Sequence, residues 1–304
     1  MSRWIPVVFC VISILFLTGV RVVCAEGYRA GAYEIIMLND AEGEGSPSLL
    51  IGADASLVKK YLPGGSYPMY VQYFLLRISG KTALVDTGYG KNLTQDLKKL
   101  GLKPADIDAV FLTHLHSDHI GGMLTKGRPA FPRAKIYVAE LERDYWTDPD
   151  ITAKASPGKK GGFVQAQKVL AAYGKRVNVF NPGELEAQGI ELLPGIRAVA
   201  AYGHTPGHTM FLIGEGKSQM LIWGDLAHVM AIQMPAPSTA IIYDVDPKQA
   251  VAARLKTLQY VSEHKLPVAG MHIAAPAMGL ISPDGQGGYI FAPIDAVPEV
   301  RTAR

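Results

Sequence analysis

Between about residues 32 and 113 the chain runs in short apolar blocks separated by turn residues: YEIIML, MYVQYFLLRI, TALVDTG and DAVFLTH. Blocks of this length, bounded by Gly, Asn, Asp or Ser, predict β-strands. NLTQDLKKLGLKPADI breaks the pattern: Leu93, Leu97 and Leu100 recur at helical spacing and Gly101 closes the run, which predicts a helix. A second cycle follows, with AKIYVAE and VNVF, then GIELLPGIRAVAAY, MFLIGE and QMLIWGD, all reading as strands. The clearest helix comes late, in DPKQAVAARLKTLQYVSEHK. Asp246 is placed as its N-cap, Pro247 at its first position, and Val251, Leu255 and Leu258 on one face. It leads into a buried strand, PVAGMH. Two successive strand-rich halves, each closing with helices and joined by no low-complexity linker, predict one layered α/β domain rather than two separate ones.

Residues 144–175 depart from this pattern. DYWTDPDITAKASPGKKGGFVQAQKVLAAYGK has a Pro-, Gly- and Lys-rich middle, and a surface excursion of this length near a strand end is expected to serve function.

The first twenty-five residues, MSRWIPVVFCVISILFLTGVRVVCA, read as a secretory signal peptide cut after Ala25. Arg3 supplies the basic start, Ile5 to Val20 the apolar run, and Val23 and Ala25 the small positions before the cut. A retained anchor is the alternative, although the run falls short of the ~20 apolar residues a spanning helix needs. Lipid attachment at Cys24 lacks the small residue wanted just before it. Residues 26–304 are then the mature domain, periplasmic or secreted, with no membrane partner after cleavage. Cys10 and Cys24 are the chain's only cysteines, so the mature protein has no cysteine nucleophile, disulfide or thiolate ligand. Removing Arg3 and Arg21 leaves 28 basic against 27 acidic residues, and a nucleic-acid partner gains no electrostatic support.

Chemistry enters with FLTHLHSDHIGG, residues 111–122. If AVFLT is a strand, His114 and His116 share its parity and two imidazoles can meet one ion, while Asp118 and His119, past the turn, can face a second ion beside it. Four ionisable groups buried among Leu, Ile and Gly need a cation to offset the cost of burial. Imidazole and carboxylate without thiolate point to zinc or a similar first-row metal in an open, catalytic site.

With these residues in view, the chain resembles the metallo-β-lactamase fold superfamily, whose His-x-His-x-Asp-His signature matches His114, His116, Asp118 and His119. The remaining motifs of that family are matched in order by Asp86 in ALVDTG, His208 in GHTPGHT, Asp225 in LIWGD and His272 in AGMH, so the likeness covers nearly all of the mature chain. The resemblance implies a four-layer αββα sandwich with two divalent metals at one edge, most simply Zn2+, with Mn, Co or Fe as alternatives. It further implies His114, His116 and His208 on one ion, Asp118, His119 and His272 on the other, and Asp225 with a hydroxide bridging them. Asp86 would orient a ligand from behind. His204 is expected to structure its loop, and His264 to sit near a helix end.

The implied reaction is hydrolysis by the bridging hydroxide, with Asp118 or Asp225 taking the proton. Lactonases of the superfamily usually carry tyrosine three residues after the bridging aspartate; here that position is His228, which is expected to bind substrate or protonate the leaving group. In this respect the chain is similar to the methyl parathion hydrolase branch, which shares ancestry with lactonases, and Trp146 and Phe163 resemble the aromatic residues lining that branch's leaving-group pocket. The expected substrate is a small uncharged ester, lactone or phosphotriester, and a homodimer is left open. A class B-like β-lactamase, a glyoxalase II-like thioesterase and a mononuclear iron sulfur-handling dioxygenase are the alternatives. The first usually lacks an aspartate at the position of Asp225, the second has a C-terminal extension not recognised after His272, and the third keeps fewer ligands. A noncatalytic metal-binding or scaffold protein would not need a complete open ligand set.

Overall fold

Along the strand Tyr67–Ile78, Phe74, Leu76 and Ile78 belong to one hydrophobic cluster while Tyr73 and Leu75 belong to another. The period of two splits neighbouring strands in the same way: Ile35 and Met37 against Ile36 and Leu38, Ala83 and Val85 against Leu84, Ala109 and Phe111 against Val110. A sheet that is apolar on both faces must be covered on both. The computed structural model describes residues 27–30, 32–78 and 80–294, and shows what covers it. The expected signal segment, residues 1–25, lies outside the described residues.

The first sheet follows chain order: Gly27–Ala30, Tyr33–Gly45, Tyr67–Ile78, Lys81–Val85, Ala109–Phe111, Lys135–Ala139 and Val177–Phe180. Its first four strands are antiparallel neighbours and the remaining pairings are parallel. The second sheet contains Ile190–Leu193, Ile196–Ala200, Thr209–Glu215, Ser218–Ile222, Val268–Ala269, Met278–Pro283 and Tyr289–Pro293, with one parallel pair, Ser218–Ile222 beside Val268–Ala269. The inner cluster, from Ile35 through Phe111 to Met210, Ile213 and Met220, lies between the sheets. The outer cluster seals the first sheet against the helices Leu93–Lys99, Glu140–Thr147 and Pro157–Tyr173. The helix Pro247–His264 lies along Met278–Pro283 on the second sheet. The order is therefore helix, sheet, sheet, helix, as the sequence motifs imply. No helix among the described residues is long and apolar enough to cross a membrane.

Two expectations change here. The stretch 144–175 is helical rather than a loop: Glu140–Thr147, Pro149–Lys154 and Pro157–Tyr173 follow one another, and the last buries Phe163, Ala166, Val169, Leu170 and Tyr173. Their spacing of three and four residues is an amphipathic helix face, which the Gly- and Lys-rich start of the segment obscures.

On the late helix, Asp246 caps as expected, accepting from the backbone of Lys248 and Gln249, but Leu255 points outward and the buried face is Ala250, Arg254, Thr257, Leu258 and Val261. The fully buried Arg254 donates from Nε to the Leu226 carbonyl at 2.6 Å and from Nη1 to those of Pro237 and Thr239 at 3.0 and 2.6 Å. A charged fork that reaches three buried carbonyls, that of Thr239 shared with Gln233 Nε2 at 3.0 Å, outweighs one leucine in choosing the inward face. Arg254→Met, which keeps the volume and removes the donor from the Leu226 and Pro237 carbonyls, is expected to cost about 3 kcal/mol. That corresponds to a melting temperature lower by roughly 6–12 °C in a domain of this size, as read by thermal denaturation.

Candidate metal centre

Parallel pairs within each sheet bring loops together at one edge. Val85 lies opposite Phe111, so the chain leaves both strands side by side at Asp86 and at Leu112 to His119. Ile222 lies opposite Ala269, which does the same for Asp225 and His272. The turn between Ile196–Ala200 and Thr209–Glu215 adds His204. Asp86 has φ 59°, a left-handed conformation that aspartate tolerates better than most residues. Its carboxylate accepts from Thr113 N at 2.8 Å, Thr113 Oγ1 at 2.6 Å and His119 Nδ1 at 2.7 Å.

Two sets of ligand atoms face each other. His114, His116, His204 and Asp225 offer one atom each within 4.8 Å of one another, and so do Asp118, His119 and His272. In the first set His116 Nδ1 lies 2.9 Å from His114 Nε2 and 3.0 Å from His204 Nε2. Asp225 stands between the sets. Its Oδ2 is 3.2 Å from His204 Nε2 and 3.6 Å from His114 Nε2, and its Oδ1 is 3.1 Å from both His119 Nε2 and His272 Nε2. Asp118 Oδ2 completes the second set at 3.8 Å from His119 and His272. His228 enters as well, with Nε2 3.0 Å from Asp225 Oδ2, and Asp225, His228 and His272 satisfy the same 4.8 Å criterion.

His208, expected among the ligands, does not join them. Its Nδ1–H donates to the Ala201 carbonyl at 2.9 Å and its Nε2 accepts the backbone N–H of Asp225 at 3.0 Å, so neither nitrogen has a free lone pair for a metal. Gly224, with φ 60°, permits this approach, since a Cβ there would stand 2.5 Å from His208 Nε2. His204, expected only to shape its loop, stands in the first set of candidate ligand atoms where His208 was expected. His264 lies on the far side of the fold, stacked on Tyr260.

The tautomers fit a metal. The Nδ1–H of His114 donates to Thr113 Oγ1 at 3.0 Å, that of His119 to Asp86, that of His204 to Asp244 Oδ1 at 2.9 Å and that of His272 to the Tyr70 carbonyl at 2.6 Å. Each Nε2 lone pair is thereby turned inward, the arrangement metal-bound imidazoles use. Two ligands ~2.0–2.1 Å from a tetrahedral ion stand roughly 3.3 Å apart, close to the spacings here. His119 Nε2, Asp225 Oδ1 and His228 Nδ1 are buried without hydrogen-bond partners, and such atoms are costly unless something binds them. Burial, with His204 beside it, pushes His116 down to about 3, which keeps its ring neutral. Burial opposes charge on His204 too, yet Asp225 and Asp244 raise it to about 9, as a cluster that favours a cation at its centre must.

Trp146 and Phe163, expected to line a pocket, are buried in the helix-side cluster, 4% and 2% exposed. Trp146 reaches the centre only through its edge contact with His116, ring centroids 5.4 Å apart, and Phe163 lies behind it against Trp146 at 4.7 Å. The aromatic residues at the open side are Tyr89 and Tyr243, 44% and 41% exposed, with the Tyr243 ring 6.1 Å from His228. Burial, and then Asp118, raises the pKa of both phenols, that of Tyr89 to about 12, so both remain neutral donors at ordinary pH. Exposed Ile242 and Val245 flank Tyr243 in sequence, and Ile51 is exposed on the strand that pairs with Ala240–Ile241. No sequence motif marked these tyrosines. Nor did any mark Glu142, Asp244 and Gln233, the last accepting the backbone N–H of His228 at 2.7 Å.

A model of the Metallo-beta-lactamase superfamily matches residues 66–262. Among solved structures, the hydrolase AbOPH in the beta lactamase superfamily superposes with TM-score 0.78 and 28% identity over 90% of this chain and 98% of that one. AidC, a dizinc quorum-quenching lactonase in complex with a product N-hexnoyl-L-homoserine, does so with TM-score 0.80 and 25% identity over the same shares. Among curated proteins, N-acyl homoserine lactonase AttM of Azorhizobium caulinodans is 33% identical over 126 residues, 41% of this chain and 43% of that protein. Ribonuclease Z of Clostridioides difficile is 41% identical over 64 residues, 20% of each. The chain thus spans a fifth to about two-fifths of the length of these curated relatives.

Proposed function

This chain belongs to the metallo-beta-lactamase superfamily, and from that premise we propose that it is a dinuclear metal-dependent hydrolase of small uncharged esters, lactones foremost and phosphotriesters next. The observation that carries the proposal is Asp225, a buried carboxylate standing between the two ligand sets, with Oδ1 toward His119, Oδ2 toward His204 and His272 Nε2 3.1 Å from each oxygen. Its residues suit two divalent cations, zinc first: His114, His116 and His204 on one, Asp118, His119 and His272 on the other, Asp225 on both. Such a pair lowers the pKa of bound water to roughly 7 and polarises the oxygen of an incoming carbonyl or phosphoryl group.

The chain's own groups supply the rest. Asp118, 23% exposed at its side chain, is the carboxylate nearest solvent and suits accepting and passing on the proton of the attacking water. Asp86, Asp244 and the Tyr70 carbonyl hold the imidazoles in place while charge moves, which spares reorganisation during the reaction. His228, between Asp225 and Tyr243, is placed to meet the leaving oxygen. Burial brings its pKa down to about 4, so at neutral pH it serves as a neutral hydrogen-bonding group rather than a reservoir of protons. Exposed Tyr243, with its ring 6.1 Å from His228, and exposed Tyr89 offer aromatic surface and phenolic donors, which favour an ester with an uncharged apolar arm. The lactonase relatives support lactones as the first substrates to try. Residues 1–25 support export to the periplasm or beyond, which N-terminal sequencing of exported protein beginning at Glu26 would establish.

A panel of lactones, nitrophenyl phosphotriesters, aryl esters and nitrocefin, assayed with and without chelator, tests the proposal. Chelator-sensitive lactone turnover above the rest is the expected result. Turnover of nitrocefin with inert lactones and phosphotriesters would overturn it.

A further inference from the structure

Glu142 lies on the helix Glu140–Thr147 and is completely buried, with no ion pair to a cation among the described residues. A carboxylate in such a place is costly unless hydrogen bonds to its charged form replace water. Four donors do so. Oε1 accepts the backbone N–H of Leu115 at 2.9 Å and Trp146 Nε1–H at 2.6 Å, and Oε2 accepts Thr205 Oγ1–H at 2.6 Å and the backbone N–H of Gly207 at 3.0 Å.

Three of these donors belong to the two loops that build the first ligand set, and the fourth, Trp146, lies one turn along the same helix. Leu115 sits between His114 and His116, Thr205 directly follows His204, and Trp146 rests its ring edge against His116. Gly207 also packs against the start of this residue, so closely that a Cβ on it would stand 2.2 Å from the Glu142 backbone nitrogen. The hydrogen bonds of Glu142 do not extend to Asp118, His119 or His272 of the second set; His119 is braced by Asp86 and His272 by Tyr70. The two loops have no covalent reason to stay in register, being 88 residues apart where His116 meets His204.

We propose that Glu142 is a positioning residue that sets the spacing between His116 and His204 and thereby governs metal affinity at the first site alone. The inference rests on the dinuclear reading above and adds to it which buried group makes one of the two sites. Four donors converge on two oxygens, so an amide cannot substitute: the NH2 of glutamine would face two N–H or O–H groups. Groups that support metal ligands from behind typically change affinity 10–100-fold when altered.

The test is metal binding by the full chain, stripped with chelator and titrated with Co2+, read by visible absorption and by competition with a chelator for Zn2+. His272→Ala leaves only the first set complete and His116→Ala only the second. Glu142→Gln is expected to weaken binding about 10- to 100-fold in the first background and to leave it unchanged in the second. Equal affinities with and without the substitution in both backgrounds would overturn the proposal, as would equal losses in both. If Glu142→Gln does not fold, Thr205→Val and Trp146→Phe each remove one donor and are expected to produce a smaller loss confined to the first site; no loss from either overturns it. Uptake of a single ion by the unmodified chain would instead overturn the dinuclear reading, leaving Glu142 to be judged on that one site.

Discussion

Asp225→Asn is expected to lower kcat by about three orders of magnitude with lactone substrates, with a much smaller change in KM. Asparagine is isosteric, so the packing around residue 225 is retained. What is lost is the second anionic oxygen: the carboxylate reaches His119 and His272 through Oδ1 and His204, His114 and His228 through Oδ2, and an amide nitrogen at either position has no lone pair to give. The same change removes the charge that draws His119 and His204 toward their cationic forms. Steady-state kinetics with metal content measured on the same samples checks this. Retention of more than a tenth of kcat in a variant with both metals would show that Asp225 does not bridge.

His204→Ala and His208→Ala separate two histidines that share one motif. His204→Ala is expected to lose the first-site metal and nearly all turnover, because it deletes a ring whose Nε2 stands 3.0 Å from His116 and 3.2 Å from Asp225. His208→Ala is expected to keep both metals and to cost stability instead, about 1–3 kcal/mol, because the Asp225 N–H and the Ala201 carbonyl lose their partners inside the fold. Metal analysis and thermal denaturation of the two variants distinguish the outcomes. A metal deficit in His208→Ala with normal content in His204→Ala would reverse the assignment.

The confusion of these two residues shows where the sequence stops being informative. Both lie in GHTPGHT, both follow an apolar strand, and their spacing of four is neutral between them. The choice depends on the backbone N–H of Asp225, which occupies His208 from the loop that follows the strand Ser218–Ile222. The layered fold and the grouping of His114, His116, Asp118 and His119 were legible because strand ends set side-chain positions by local rules, parity along a strand and a turn after it, whereas Asp225 and His272 joined them only through the resemblance to the superfamily. Trp146 and Phe163 failed as pocket residues for the opposite reason. Composition made their segment look like a loop, whereas its helical face only emerges where it meets Val110 and Ile136 of the sheet beneath. Leu255 and Arg254 invert the usual expectation that the leucine turns inward, since three carbonyls from two other loops decide the matter and none is visible in the helix itself. Glu142 reads in VAELERDYW as one more surface acid.

The central claim is that two metals held by these residues perform the hydrolysis. Its most direct measurement is lactone turnover by the chelator-stripped chain as Zn2+ is added in known equivalents. Activity absent without metal, rising to a maximum at two ions per chain and flat beyond, is the predicted result; activity that is complete at one equivalent, or that persists with none, would contradict it.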